Sequence, residues 1–195
     1  MNDGLFESEG AGGIQVAGAL ENNGTIESTG GDVTVRGKVT GTGSVVIDGG
    51  SIAFGNVFDE AVSFGATGTL VLSQSSDFKA TVTGVSTGTS FDLTDIGFVS
   101  AGEATFRGHH SGGTLTVTDG VHAAHIALSG DYLGATFTAA SDGAGGVLVT
   151  ESTAPIHQFI GAAASLGASP GSLSHAPEIY TAHAAIFARP HCAMA

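Results

Sequence analysis

The residues of this chain with the most chemistry in them are carboxylates set among glycines and hydroxyls. "FDLTDI" holds Asp92 and Asp95, and "SDGAGGVLV" places Asp142 at the head of a glycine-rich turn. Oxygen ligands of this kind suit calcium, which takes about six to eight of them from carboxylates and backbone carbonyls. A calcium roll, G-G-x-G-x-D-x-U-x, needs an Asp two positions after its last glycine; the stretch after Asp142 has the glycines but not that Asp. If "FDLTDI" is one straight strand, Asp92 and Asp95 lie on opposite faces. Asp92, Asp95 and Asp142 are therefore candidate ligands of a loose metal site, with calcium the one cation in view and no other cofactor expected.

Catalysis has less to work with. A solenoid enzyme acting on polysaccharides sets carboxylates beside Arg or Lys on successive coils. Asp48, Asp59, Glu60, Asp77, Asp92 and Asp95 supply the acids, but Arg36, Lys38, Lys79 and Arg107 are all the bases before the last part of the chain. No acid pair has a matching base one coil away, so these acids read as solvated corner residues and no catalytic residue is nominated. His122 and His125 in "VHAAHIAL" point to opposite faces of a strand and cannot chelate together. His109 and His110 fall in a turn, and Cys192 beside His191 reads as an incidental tail residue. No G-x-S-x-G nucleophile elbow occurs.

Charge narrows the partners. The 195 residues carry 18 Asp and Glu against 5 Lys and Arg, a formal net charge of -13. Nothing here would neutralise phosphates, which argues against nucleic acid and against an anionic membrane surface. The single cysteine allows no intrachain disulfide. The opening "MNDGLFESEGAGGIQVAGAL" has no basic n-region and no continuous apolar core, so it is not an N-terminal signal peptide. No apolar run is long enough for a membrane helix, and no membrane insertion is expected.

The elements that must position the acids are short alternating strands. "DVTVRG", "SVVIDGG", "GTLVLSQ", "KATVTG", "SFDLTD", "GTLTVTDG", "HIALSG" and "GVLVTE" recur about every ten residues with glycine turns between, the spacing of an all-β architecture. Period two sends Val, Ile, Leu and Phe inward and Thr, Ser and Asp outward. Hydrophobic residues make up 42% of the chain, enough to fill such an interior. Asn-Gly and Asp-Gly hairpin loops are scarce over residues 21–100, which favours stacked coils there; Asp119-Gly120 between two alternating runs marks a hairpin. The expected fold is all-β, a parallel β-helix or solenoid with hairpin strands near residues 100–150 and a short C-terminal helix. Residues 1–20 are the lead-in, 21–151 the strand-repeat domain. Residues 152–195 hold the helix, over about 156–166, and a loose Ala/Pro/His-rich tail.

The phrases N-x-G-T-I-x-x-x-G-G, G-x-G-x-x-x-I-x-G-G, F-D-L-T-D-I and D-G-x-G-G-x-L-V-T, spread over residues 18–151, resemble the C-terminal strand-repeat region of large secreted bacterial surface proteins, the autotransporter-like adhesins. The resemblance implies a non-catalytic, secreted or cell-surface structural or adhesion module, the C-terminal part of a larger repeat protein. Its partner would be a surface carbohydrate or another cell's surface. The alternatives are a β-helix carbohydrate-active enzyme, which acids with Arg or Tyr in a long groove would favour, and a calcium-dependent binding module. A smooth Thr/Ser face would favour the structural reading.

Overall fold

The computed structural model describes residues 1–153. The helix expected over about 156–166 and the tail after it lie outside them. The chain winds as a β-solenoid of about five turns. The first coil carries β1 (Leu5–Glu9), β2 (Ile14–Val16) and β3 (Leu20–Asn22); the second carries β4 (Thr25–Thr29), β5 (Asp32–Val35) and β6 (Val39–Gly41). The third has β7 (Ser44–Ile47) and β8 (Ser51–Phe54). The fourth has β9 (Ala61–Phe64) and β10 (Gly68–Leu72), followed by a 3-10 turn at Ser75–Asp77, and the fifth has β11 (Thr81–Thr83) and β12 (Thr89–Leu93). Five longer strands follow: β13 (Ala104–His109), β14 (Gly112–Thr118), β15 (Ala123–Ser129), β16 (Ala135–Ser141) and β17 (Val147–Thr153).

Each coil lays its strands parallel on those of the coil before. One sheet runs β1-β4-β7-β9-β11 and continues into β15-β14-β13; the facing sheet runs β2-β5-β8-β10-β12 and continues into β17-β16. The coils are parallel throughout, whereas β13-β14-β15 and β12-β17-β16 are antiparallel. The change from coils to hairpins after about residue 100 thus occurs where the sequence placed it. Asp119-Gly120 turns β14 into β15, with the Asp119 carboxylate accepting the amides of Val121 (2.7 Å) and His122 (2.6 Å).

Alternation decides the core. Ile14, Val33, Ile52, Leu70 and Phe91 stand in register, and Val149 and Ala139 extend the same row into the hairpins. Facing them, Ile26, Val45, Val62, Val82 and Leu128 form a second buried row. The third side, where only β3 and β6 pair, is filled by Leu20, Val39, Phe58 and Phe78. There Phe54 and Phe58 stack with ring centroids 3.8 Å apart. At the corner between the two large sheets the buried Ser8 hydroxyl donates to the Gly12 carbonyl (3.0 Å), and one coil on the buried Ser28 hydroxyl serves the carbonyls of Gly31 and Gly49. These inward serines satisfy carbonyls that the sharp corner takes out of the sheets.

The outer face of the β2-containing sheet carries short polar side chains. Asp32, Ser51, Thr69, Ser90, Thr150 and Thr138 form one row across it. The Ser51 hydroxyl donates to Asp32 (2.7 Å), and the hydroxyls of Thr69 and Ser90 bond each other at 2.8 Å.

Candidate functional site

The three acids singled out from the sequence take three different places. Asp95 is not on a straight strand with Asp92, because β12 ends at Leu93. Its carboxylate turns to the Ser75 amide at 2.8 Å and caps the 3-10 turn of the preceding coil. Asp142 closes the loop between β16 and β17: its Oδ1 accepts the amides of Ala144 (2.7 Å), Gly145 (2.9 Å) and Gly146 (2.8 Å). These amides hold its carboxyl below the usual range, the Ala144 amide most of all. Asp92 projects from the outer face of β12, opposite Leu148 of β17, and its Oδ1 is buried with no partner. Burial, and after it the charge of Asp142, push the Asp92 carboxyl up.

The fold therefore brings Asp92 and Asp142 within electrostatic reach of each other and takes Asp95 away. Among the described residues no group of three or more His, Cys, Asp or Glu side chains is placed to hold a metal ion. The glycine-rich turn at 142–146 is organised by its own carboxylate. Calcium and magnesium at matched ionic strength are expected to raise the melting temperature by the same small amount, as cations relieve the self-repulsion of an acidic chain. A saturable, calcium-selective rise lost in Asp142→Ala would contradict this and give Asp92 and Asp142 a ligand role.

The histidines are dispersed. His110 meets Asp131 at 2.7 Å, His122 meets Asp119 at 3.0 Å, and His125 meets the Thr116 hydroxyl at 3.2 Å. All of these lie at the surface of the hairpin strands.

Three acids, Glu60, Glu103 and Glu151, are too buried for the reading of acids as solvated corner residues; Glu103 accepts the amides of Val99 (3.0 Å) and Ser100 (3.3 Å), and the other two line clefts. Glu60 is only 6% exposed. It sits on the third side of the solenoid, beside the Asn22 side-chain amide, for which Gly43 leaves room: a Cβ at Gly43 would run into that amide. The Asn22 side-chain amide donates to Glu60 Oε2 at 2.6 Å, and the Asn2 amide donates to Asn22 Oδ1 at 2.6 Å. Glu60 Oε1 is buried without a partner among the described residues. Burial pushes this carboxyl above its ordinary value, while Asn22 and the Gly43 amide pull the other way. A carboxyl raised on folding contributes its stability fully below its unfolded value, and that stability is lost as pH rises through the folded value. Unfolding free energy measured from about pH 4 to about pH 8 should show this loss, and Glu60→Gln should remove it. The expected size is about 1–3 kcal/mol, the cost of a buried group left unsatisfied. An unchanged pH profile in the variant would contradict the assignment.

The third is Glu151. Along β17, Val147, Val149 and Glu151 share the inward face, so this acid occupies a core position opposite Phe137 and is only 5% exposed. It opens on a cleft of about 650 Å³ lined by Val85, Thr87, Tyr132, Ala135 and, at the rim, Asp131. The Thr87 hydroxyl donates to Glu151 Oε2 at 3.3 Å. Tyr132 donates to the Ser129 carbonyl (3.3 Å) and accepts the Val85 amide (3.2 Å), so its hydroxyl proton is taken. Its ring packs edge-on against Phe106 and tilted against Phe137, which fixes the floor. Burial raises the Tyr132 phenol, the Val85 amide opposes this, and the charge of Glu151 raises it further, so it stays protonated at neutral pH. Asp131 is held below the usual range, first by His110 and then by the Leu133 amide. The cleft thus combines a carboxylate on an apolar floor, a hydroxyl beside it and a second carboxylate at the rim. The parity of "GVLVTE" was the sequence signal for Glu151, since its alternation runs on into the acid.

Fold and site together define an all-β solenoid continued by antiparallel hairpins, with an acidic cleft beside the hairpin strands. No family model matches this chain, and neither a curated protein nor a solved structure matches it.

Proposed function

We propose that this chain is a non-catalytic structural or adhesion module of a secreted, cell-surface repeat protein. The observation that carries the reading is the row Asp32, Ser51, Thr69, Ser90, Thr150 and Thr138 along the outer sheet face. A ladder of one carboxylate and five hydroxyl side chains, with Ser51 bonded to Asp32 and Thr69 to Ser90, offers donors and acceptors at the strand repeat of about 4.8 Å. Such a surface suits lateral contact with a surface carbohydrate or with another cell's surface. β1 and β2 are edge strands of their sheets, so a further coil of the same design would meet backbone donors and acceptors able to pair with it. That favours work as one section of a longer stack.

A second reading, a β-helix carbohydrate-active enzyme, is favoured by the shared cleft of Glu151, Asp131 and Tyr132. Glycoside hydrolysis commonly uses two carboxylates flanking the scissile bond. The two readings separate in one assay, in which the full chain is incubated with pectin-like, alginate-like and neutral surface polysaccharides and new chain ends are counted. The structural reading expects retention on polymer with no new ends. Turnover lost in Glu151→Gln, or in Asp92→Asn, would replace it with the enzyme.

A further inference from the structure

We propose that the cleft at the hairpin end binds an organic cation, an alkylammonium group, with Glu151 as its counter-ion. Glu151 stands at a core position of β17, 5% exposed, and its one hydrogen-bond donor among the described residues is the Thr87 hydroxyl, on Oε2. A carboxylate withdrawn from water is costly unless it is paired and hydrogen-bonded. Among the described residues no Lys or Arg forms an ion pair with it. Glu151 lines the cleft, and among the described residues no donor reaches its other oxygen.

The surroundings select the ligand. Glu151 and Asp131 both line the cleft, which sets it against anions. A neutral apolar ligand would strip water from Glu151 and return no hydrogen bond. A divalent metal needs more oxygen ligands than this grouping offers, and no metal-binding cluster exists among the described residues. An ammonium group supplies donors to the free Glu151 oxygen as a charge-assisted bond. Its alkyl stem meets Val85, Ala135 and the Tyr132 side chain, and the volume is in the range of small-molecule sites. The Tyr132 hydroxyl is engaged by Val85 and Ser129, so it does not compete for the cation.

The test is an amide NMR titration of the full chain with n-butylammonium, and in parallel with 1-butanol, which has the same shape without the charge. The proposal expects saturable shifts at Thr87, Ala135 and Glu151 with a dissociation constant on the order of 1 mM, about -4 kcal/mol, and no saturable shifts with butanol. Glu151→Gln should weaken binding by about tenfold or more, while Glu60→Gln, which neutralises a buried acid outside the cleft, should leave it unchanged. Equal response to butanol, or shifts spread without saturation over surface acids such as Asp3, Glu27 and Asp32, would overturn the proposal. Unaltered affinity in Glu151→Gln would do the same. If that variant does not fold, the comparison of the two probes on the unaltered chain decides.

Discussion

Gly50→Ala is expected to lower the unfolding free energy by about 3 kcal/mol or more, from backbone strain and overpacking together. Gly50 sits at the corner between β7 and β8 with φ +68°, a conformation that costs a residue with a Cβ roughly 1–2 kcal/mol. The added methyl would also run into the Gly31 carbonyl of the coil below and come within 2.9 Å of the Ser28 hydroxyl. That hydroxyl serves the carbonyls of Gly31 and Gly49, so the intruding atom disturbs the bonds that close the corner. Backbone cannot swing aside as a flexible side chain can, and the coils must move apart. Gly102→Ala is the control, since a Cβ there meets nothing within 4 Å; it should stay within about 0.5 kcal/mol of the parent. Urea unfolding of the two variants provides the comparison. Equal effects would mean that close approach of coils at this corner does not limit stability.

Ile52→Ala should cost about 3–5 kcal/mol, near the upper part of the range for large-to-small changes in a core. Ile52 is fully buried in the middle of the row Ile14, Val33, Ile52, Leu70, Phe91, with a coil packed on each side of it. Neither neighbour can collapse into the space without breaking its own register, so the cavity persists. Ile14→Ala, on the first coil and only half-buried, should cost about 1 kcal/mol, as less area leaves water. In a stack where each coil contacts chiefly its neighbours, position along the axis sets the penalty. Similar losses at Ile14 and Ile52 would argue against that picture.

Much of this was legible before any coordinates. Alternation in "DVTVRG" or "GTLTVTDG" determines which side chains face inward, and the Asp119-Gly120 pair marks the one place where a tight reversal was written locally. What stayed hidden depends on which coil lies over which. Asn22, Gly43 and Glu60 are far apart in the chain, and only stacking places the missing Gly43 side chain against the Asn22 amide that bonds Glu60. Asp92 and Asp142 come together through the antiparallel pairing of β12 with β17, which no local spacing encodes. "FDLTDI" looks continuous, yet the bond of Asp95 to the Ser75 amide requires the chain to leave the sheet at Leu93. Glu151 was overlooked for the opposite reason. Its inward parity was in plain view, but an acid at the end of an apolar run reads as the run's boundary until the burial of its neighbours Phe137 and Tyr132 is seen.

The central claim, that this solenoid works as a surface module, is tested most directly by labelling the cells that produce it. Antibody raised against residues 1–153, applied to intact cells and to permeabilised cells, reports whether the chain lies outside or inside the cell. The account predicts equal labelling in both, with the signal on intact cells removed by external protease. Labelling that appears only after permeabilisation would contradict it.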